Sequence, residues 1–398
     1  MTTEPILIGR PSLLRQTNAL SILKLLRESG PCSKADLVRA TGLTAPTVTN
    51  VVADLARAGL VEPMGEGESS GGRPPDMLRF KADRGCLVGV DINVSGHLRF
   101  LLTDLNGRQV DATEVGLPRH LATPEAVCAQ IAESVRGLLR KNKQRTDQLL
   151  AVVVGVPAIT NVKDGIVLAV TSLNGWRMVP LRSLLSKHFD CFVSIENDTN
   201  LSAMGERCCG AARGEDNFIF ITIGDGVGAG IVLDGKVVHG SLWSAGEIGY
   251  LRVPHVSTGP PAIHEFGQLE KILCGPGILK SWNSKGKKSG QAKVSRAVGV
   301  LELAAGGNAR AKQILAQRGR ILADVILNLS LILNPSLILL GGEIGGHPLL
   351  LQEAKASLDG SEFAVTRVAL GSLGPSAVLW GAIAHALEST ATLLIPQP

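Results

Sequence analysis

Aromatic side chains are scarce in this sequence: eight Phe, four Trp and one Tyr, 3% of 398 residues. Hydrophobic residues nevertheless reach 45%, enough for a globular interior. Cysteines are few and unpatterned. The seven (Cys32, Cys86, Cys128, Cys191, Cys208, Cys209 and Cys274) are odd in number and form no CxxC pair or His–Cys cluster. That argues against a disulfide framework and a zinc site, and fits a reducing cytoplasm. No uninterrupted membrane span is present either. The most apolar run, Ile321 to Leu340, contains Asp324, Asn328, Asn334 and Pro335, so it reads as a buried helix followed by a strand. A signal-peptide pattern is absent, and the expected location is cytoplasmic with no membrane partner. Net charge is only +5, a mild bias that decides nothing about nucleic acid. The length exceeds one compact core, so two or more domains are expected.

The first eighty residues read as helix, turn, helix and hairpin. Leu13 to Glu28 is amphipathic, with Leu14, Ile22, Leu25 and Leu26 on the core side. Gly30-Pro31 ends it. Ser33 and Asp36 form a capping-box pattern for a short helix to about Thr41. A third helix, from about Ala45 to Ala58, places Val48, Val51, Val52 and Leu55 at i, i+3, i+4, i+7. Its opposite face shows Thr44, Pro46, Thr47, Thr49 and Asn50, short polar groups able to approach phosphates and base edges. The segments 60–63 and 77–80 would pair as a wing. At its tip Arg73, held between Gly72 and Pro74, suits a narrow minor groove. The arrangement is a winged helix-turn-helix over residues 1–82, and its expected partner is double-stranded DNA. A three-helix protein-interaction module is the alternative.

Beyond it the pattern is strand (Cys86 to Val90, ending in Asp91), strand, strand, helix (from Thr123-Pro124), strand (Leu149 to Val156). Near Ala203 the order starts again: strand Asn217 to Ile223, a glycine-dense turn 224–230, strand Ile231 to Leu233, a long helix from about Asn308 to Leu333, and strand Leu337 to Leu340. Two similar lobes with glycine turns between strands suggest a nucleotide-binding fold with a central cleft.

One corner stands out. An apolar run, Phe189 to Ile195, reads as a strand, and Leu201 to Met204 as a helix start. Between them lie Glu196, Asn197, Asp198, Thr199 and Asn200. The polar groups could cap the helix. In an open α/β sheet they could equally face the ligand crevice, where a carboxylate orients a hydroxyl or accepts its proton.

From these motifs the chain resembles the ROK family of repressors and sugar kinases. The likeness rests on Gly71-Gly72-Arg73-Pro74, Val88-Gly89-Val90-Asp91, Gly155-Val156-Pro157, Gly175-Trp176, Glu196-Asn197-Asp198, the turn 224–230, Gly246-Glu247-Ile248-Gly249 and Gly341-Gly342. Their order and spacing together make it specific. The resemblance implies a two-lobed actin-like, hexokinase-like (ribonuclease H-like) α/β domain over residues 83–398. One lobe would span about 86–203 plus a C-terminal helix at about 376–394, the other about 204–375. It also implies a DNA-binding regulator, usually a repressor, that responds to a sugar or sugar phosphate and assembles as a homodimer or tetramer on an inverted repeat. Asp198 matches the family's catalytic aspartate. Asn197, Glu247 and Glu270 match sugar-binding residues.

The departures count as much. The kinase loop Asp-x-Gly-Gly-Thr is here Asp91-Ile92-Asn93-Val94-Ser95, whose Cβ atoms enter the space a phosphate needs. Asp225 replaces a Thr in the second phosphate loop. Loss of phosphotransfer is therefore expected: no enzyme and no cofactor, with Asp198 binding a hydroxyl rather than activating it. The zinc ligands are replaced by Tyr250, Pro261, Ile263 and Gln268, and His264 with Glu265 cannot make a tetrahedral set, so no metal is expected. Tyr250 keeps a hydrogen bond for a sugar. Ser172 stands where the family has Asn, with Asn174 a possible substitute, and Ala158 replaces a Gly at the pocket floor. A kinase that carries a DNA-binding domain, and a regulator with no sugar effector, are the alternatives.

Overall fold

The apolar spacing of the N-terminal segment closes on a three-helix core. The computed structural model describes residues 11–66, 76–93, 96–117, 123–169, 175–252, 265–284, 294–359 and 366–394. Helices α1 (Pro11–Ser29), α2 (Lys34–Thr41) and α3 (Ala45–Arg57) pack beside a sheet of β1 (Cys32–Ser33), β3 (Asp76–Phe80) and β2 (Val61–Glu66), in that order. Ser33 starts α2 as a reciprocal cap: its hydroxyl accepts from the Asp36 N–H at 3.2 Å, and the Asp36 carboxylate accepts from the Ser33 N–H at 2.9 Å. Gly42, at φ +69°, ends that helix in the left-handed region. Val48, Val51, Val52 and Leu55 are all buried, as their spacing predicts. One expectation fails on α1. Leu14 is 59% exposed and Leu25 half-buried, while Ala19, Ile22, Leu23 and Leu26 fill the core. Leu14 lies in the first turn of α1, ahead of the stretch that meets the other helices.

Two five-stranded mixed sheets follow, and they repeat one topology. The first has the order β10 (Phe192–Asn197), β7 (Leu149–Val156), β4 (Cys86–Asn93), β5 (His97–Asp104), β6 (Gln109–Gly116). The second has the order β15 (Arg367–Leu370), β14 (Leu337–Gly341), β11 (Phe218–Ile223), β12 (Val227–Leu233), β13 (Lys236–Val237). In each, three consecutive strands are antiparallel and two more join in parallel through helical crossovers. A small hairpin, β8 (Ile159–Asn161) with β9 (Ile166–Ala169), hangs from the first sheet. Helix α4 (Pro124–Lys141) buries Val127, Cys128, Ile131 and Val135 on one face of the first sheet. Helix α10 (Ala309–Leu333) does the same for the second through Leu322, Val325, Ile326 and Leu329.

Several boundaries differ from the sequence reading: the strand read as ending at Asp91 runs on to Asn93, so Asp91 to Asn93 of the stretch compared with the kinase loop are strand residues. The strand before the polar corner runs from Phe192 to Asn197, and helix α6 (Asp198–Cys209) begins at Asp198 instead of Leu201. The glycine-dense stretch is a turn only over 224–226, because Val227 to Gly230 already belong to β12. Gly230 sits where a Cβ would come within 2.8 Å of both the Ala203 Cβ and the Thr199 carbonyl oxygen. These glycines let α6 lie against the strand.

Helix α13 (Ala377–Leu394) returns to the first sheet beside α6. The two helices touch backbone to backbone. A Cβ on Gly381 would sit 1.8 Å from the Leu201 carbonyl oxygen, and one on Gly205 would sit 2.3 Å from that of Ala377. Glu206, fully buried, pins the same junction: its carboxylate accepts from the Ala211 and Leu373 N–H groups at 2.7 and 2.9 Å. On the α13 side, Leu379 and Ile383 join Leu87, Ala151 and Val153 in a cluster that continues into the winged-helix core. Gly381→Leu is expected to lower stability by about 2–4 kcal/mol, read as a shift of the urea midpoint at unchanged slope.

Candidate functional site

The polar corner stands at the carboxyl end of β10, where an open α/β sheet presents ligands to its crevice. Its neighbours divide the work. Asn197 is the cap: its Oδ1 accepts from the Thr199 and Asn200 N–H groups at 2.9 and 3.0 Å. Its Nδ2 donates to the Ala158 carbonyl at 3.1 Å, which leaves one amide hydrogen for a ligand. Glu196, 1% exposed, turns away from the crevice. Its Oε1 accepts from the Asn197 N–H at 2.7 Å and the Asn200 Nδ2 at 3.0 Å, and its Oε2 lies 2.7 Å from His239 Nε2. Asp198 faces the cleft, with its Oδ1 accepting from the Thr199 N–H at 2.7 Å.

The cleft has a volume of about 220 Å³. Pro157, Ala158 and Ile159 form one side, and the 224–228 turn, Glu247, Tyr250, Phe266 and Glu270 form the other. Burial and the Asp91 charge push Asp198 up to about 7. Burial, then Asp198 and Glu270, push Glu247 up to about 7. Burial and nearby carboxylates raise the Tyr250 hydroxyl to about 12, so it stays a neutral donor. A protonated Asp198 and the tyrosine can donate to a ligand's oxygens, while Glu247 can accept. That set suits a molecule with several hydroxyls.

Glu270 has a further task. Its Oε1 accepts from the Val227 N–H at 3.1 Å and its Oε2 from the Gly267 N–H at 3.2 Å. It ties the glycine turn to the segment leading into α7 (Glu270–Leu273), and each oxygen keeps a lone pair. A Cβ on Gly226 would meet Glu270 Oε1 at 2.8 Å, which explains the glycine. Zinc does not fit the residues present here: Tyr250 lines the cleft and Gln268 is a buried amide. Ser172, Asn174, Pro261, Ile263 and His264 lie outside the described residues.

The phosphate side is altered in a way the sequence reading missed. Asp91, 2% exposed, is paired with Arg99, the residue opposite it on β5, through Nε at 3.0 Å and through Nη2. Both of these guanidinium nitrogens hold one oxygen of the carboxylate, Oδ2. Asp225 is exposed at the turn and adds negative charge beside the cleft. The signal for the pair was present in the sequence, since a hairpin that closes on the pair Asn93 and His97 places residues 91 and 99 opposite one another. His239 and Glu196, 43 residues apart, gave no such signal.

On the winged helix, Thr44, Pro46, Thr49 and Asn50 are exposed and Thr47 is half-buried. Thr44 caps α3, accepting from the Thr47 N–H at 3.4 Å, and the two hydroxyls lie 2.9 Å apart. The face is polar, uncharged and open. Arg73 lies outside the described residues.

A winged helix-turn-helix joined to a duplicated α/β domain with a carboxylate-lined cleft defines the class of protein. Residues 87–389 match the ROK family, and residues 15–71 match the MarR family. The chain belongs to the ROK family. The xylose repressor of Bacillus subtilis is 28% identical over 88% of this chain and 88% of its own length. The crystal structure of a ROK family transcriptional regulator, homologous to the Escherichia coli Mlc protein, superposes with a TM-score of 0.81 at 24% identity, covering 96% of this chain and 98% of that one. A ROK glucokinase from Streptomyces griseus, in complex with glucose and AMPPNP, superposes at 0.64 with 25% identity, covering 76% of this chain and all (100%) of the kinase.

The buried charge at Asp198 gives a pH signature. Its folded pKa lies above the unfolded value, so deprotonation penalises the fold. The penalty is absent below about pH 4, grows as pH climbs toward 7, and is constant above. Asp198→Asn keeps the acceptor for Thr199 and removes the charge. Its stability gain over the parent is expected to widen between pH 5 and pH 7 by about 2 kcal/mol and then level off, as read from urea midpoints.

Proposed function

We propose that this chain is a transcriptional repressor whose winged helix binds operator DNA and whose ROK cleft binds an uncharged sugar without phosphorylating it. The observation that carries the reading is the pairing of Asp91 with Arg99 beside an Asp198 that still faces the cleft. The sugar side keeps its hydroxyl-binding groups, and the phosphate side is neutralised from within. Among the described lining residues, four carboxylates (Asp198, Asp225, Glu247 and Glu270) face the cleft and no Lys, Arg or His does. That balance favours a neutral sugar over a sugar phosphate. The open polar face of α3 supports base-edge contacts in a major groove. In a dimer two such faces would read an inverted repeat, and sugar binding would bias the arrangement of the two winged helices.

Phosphotransfer is the second reading, and one observation favours it: an Asp198 near 7 has the acidity of a useful general base. A coupled ADP-release assay over pentoses, hexoses and amino sugars separates the two. No turnover is expected, and turnover that disappears in Asp198→Asn would establish a kinase. DNA binding is tested on the chain's own upstream region. The expected result is a fragment shift that weakens steeply with salt and falls about tenfold in Asn50→Ala. Absence of any shift at low salt counts against the proposal. For the effector, thermal shift with xylose, glucose, amino sugars and their phosphates is expected to show a neutral sugar stabilising the parent but not Glu247→Ala. Stabilisation by phosphorylated sugars alone would contradict the charge argument.

A further inference from the structure

A second cavity, of about 780 Å³, lies behind the polar corner, where the winged helix meets both sheets. Helix α1 supplies one wall, α6 and α13 a second, and the β12–β13 hairpin a third. Its volume falls in the range of about 300–1,000 Å³ typical of small-molecule sites. Leu20, Leu23, Phe80, Met204 and Leu387 make most of its lining apolar. We infer that this cavity is a second ligand site, for a small organic anion with an apolar body, and that it communicates with the sugar cleft through Glu196.

The charge preference follows from which lining groups are already satisfied. Lys24 pairs with Glu28, Arg207 with Asp216, and Glu196 with His239. Arg27 is half-buried at the end of α1 with its guanidinium 5.9 Å from the centre of the Phe80 ring, and it has no ion-pair partner among the described residues. Desolvation by burial lowers its pKa, with Glu28, Asp104 and Cys208 acting the other way. A partly buried cation without a carboxylate is costly, and an anionic ligand would relieve it. Lys236 adds a second cation with no ion-pair partner among the described residues, from the opposite wall. Among the described lining residues, Glu388 is the one carboxylate without an ion pair, and it is exposed at the rim. An apolar body against the leucines with its carboxylate at Arg27 satisfies both halves of the cavity.

The connection to the cleft is covalently short. Glu196 lines this cavity while its other oxygen holds the Asn197 N–H and the Asn200 amide at the cleft floor. His239, just after β13, lines the cavity and bonds the remaining oxygen, Oε2, so the corner is shared by both sites. This coupling rests on the cleft being the effector site. The cavity's own ligand does not.

The test uses the full chain and ligand-observed saturation-transfer NMR. The probes are 4-phenylbutyrate, indole-3-acetate and octanoate, each beside the corresponding alcohol. At least one acid is expected to bind saturably, with its alcohol about tenfold weaker, the scale of a charge-assisted hydrogen bond. Arg27→Met should abolish the preference for acid over alcohol, and Met204→Trp, which fills the cavity, should abolish binding of both. Lys236→Met, at an exposed position, gives a milder loss and guards against a folding defect in the other two, checked by circular dichroism. Glu247→Ala should leave acid binding intact. Binding of none of the three acids, or acid binding unchanged in both Arg27→Met and Met204→Trp, overturns the site. Coupling is read separately: the bound acid is expected to change the affinity of whichever sugar stabilises the parent, and Glu196→Gln should remove that change. If no sugar binds while an acid does, the cleft reading fails and the second site stands.

Discussion

The carboxylate of Glu196 is the constraint on which the corner depends. Buried at the end of β10, it accepts from a backbone amide, a side-chain amide and a histidine at once. A buried carboxylate is tolerated only when its lone pairs are taken in this way. With Glu196 fixed, Asn197 is held in the cap position, α6 starts one residue later, and Asp198 has only the cleft to face. The backbone contact of α6 with α13 through Gly205 and Gly381 then anchors the helix to the first sheet, and the cluster on α13 extends into the winged helix. Strand end, cleft and winged helix thus share one packed path.

Electrostatics separates the two halves of the cleft. On the hydroxyl side, burial raises Asp198 and Glu247 toward neutrality, helped by Asp91 for the first and by Asp198 and Glu270 for the second, so that they can donate as well as accept. On the phosphate side, Arg99 holds Asp91 in a cross-strand pair and Asp225 stands at the turn. The first arrangement suits a ligand with several hydroxyls. The second disfavours a polyphosphate and its metal.

Periodicity made the winged helix legible. Val48, Val51, Val52 and Leu55 had to face inward, and the capping box at Ser33 marked the start of α2. The duplicated strand order was also readable, because hydrophobic runs alternate with turn residues in both halves. Boundaries at the site were harder. Asn197, Asp198 and Thr199 favour loops as well as helix starts, so the sequence could not say where α6 begins. Gly228 and Gly230 looked like turn residues and are strand residues pressed against α6. The cap reading of the corner holds at Asn197, and Asp198 lines the cleft, which leaves the ligand reading compatible with it. Contacts such as His239 with Glu196 have no local signature, because only the folded chain brings them together.

The measurement that bears most directly on the account is operator affinity with and without the stabilising sugar, in the parent and in Asp198→Ala. Fluorescence anisotropy at fixed salt is suitable. The account predicts that saturating sugar changes the parent's affinity by about fivefold or more, the lower end of typical allosteric coupling, and leaves the variant's unchanged. A sugar that binds the cleft and leaves operator affinity the same in both proteins would contradict it.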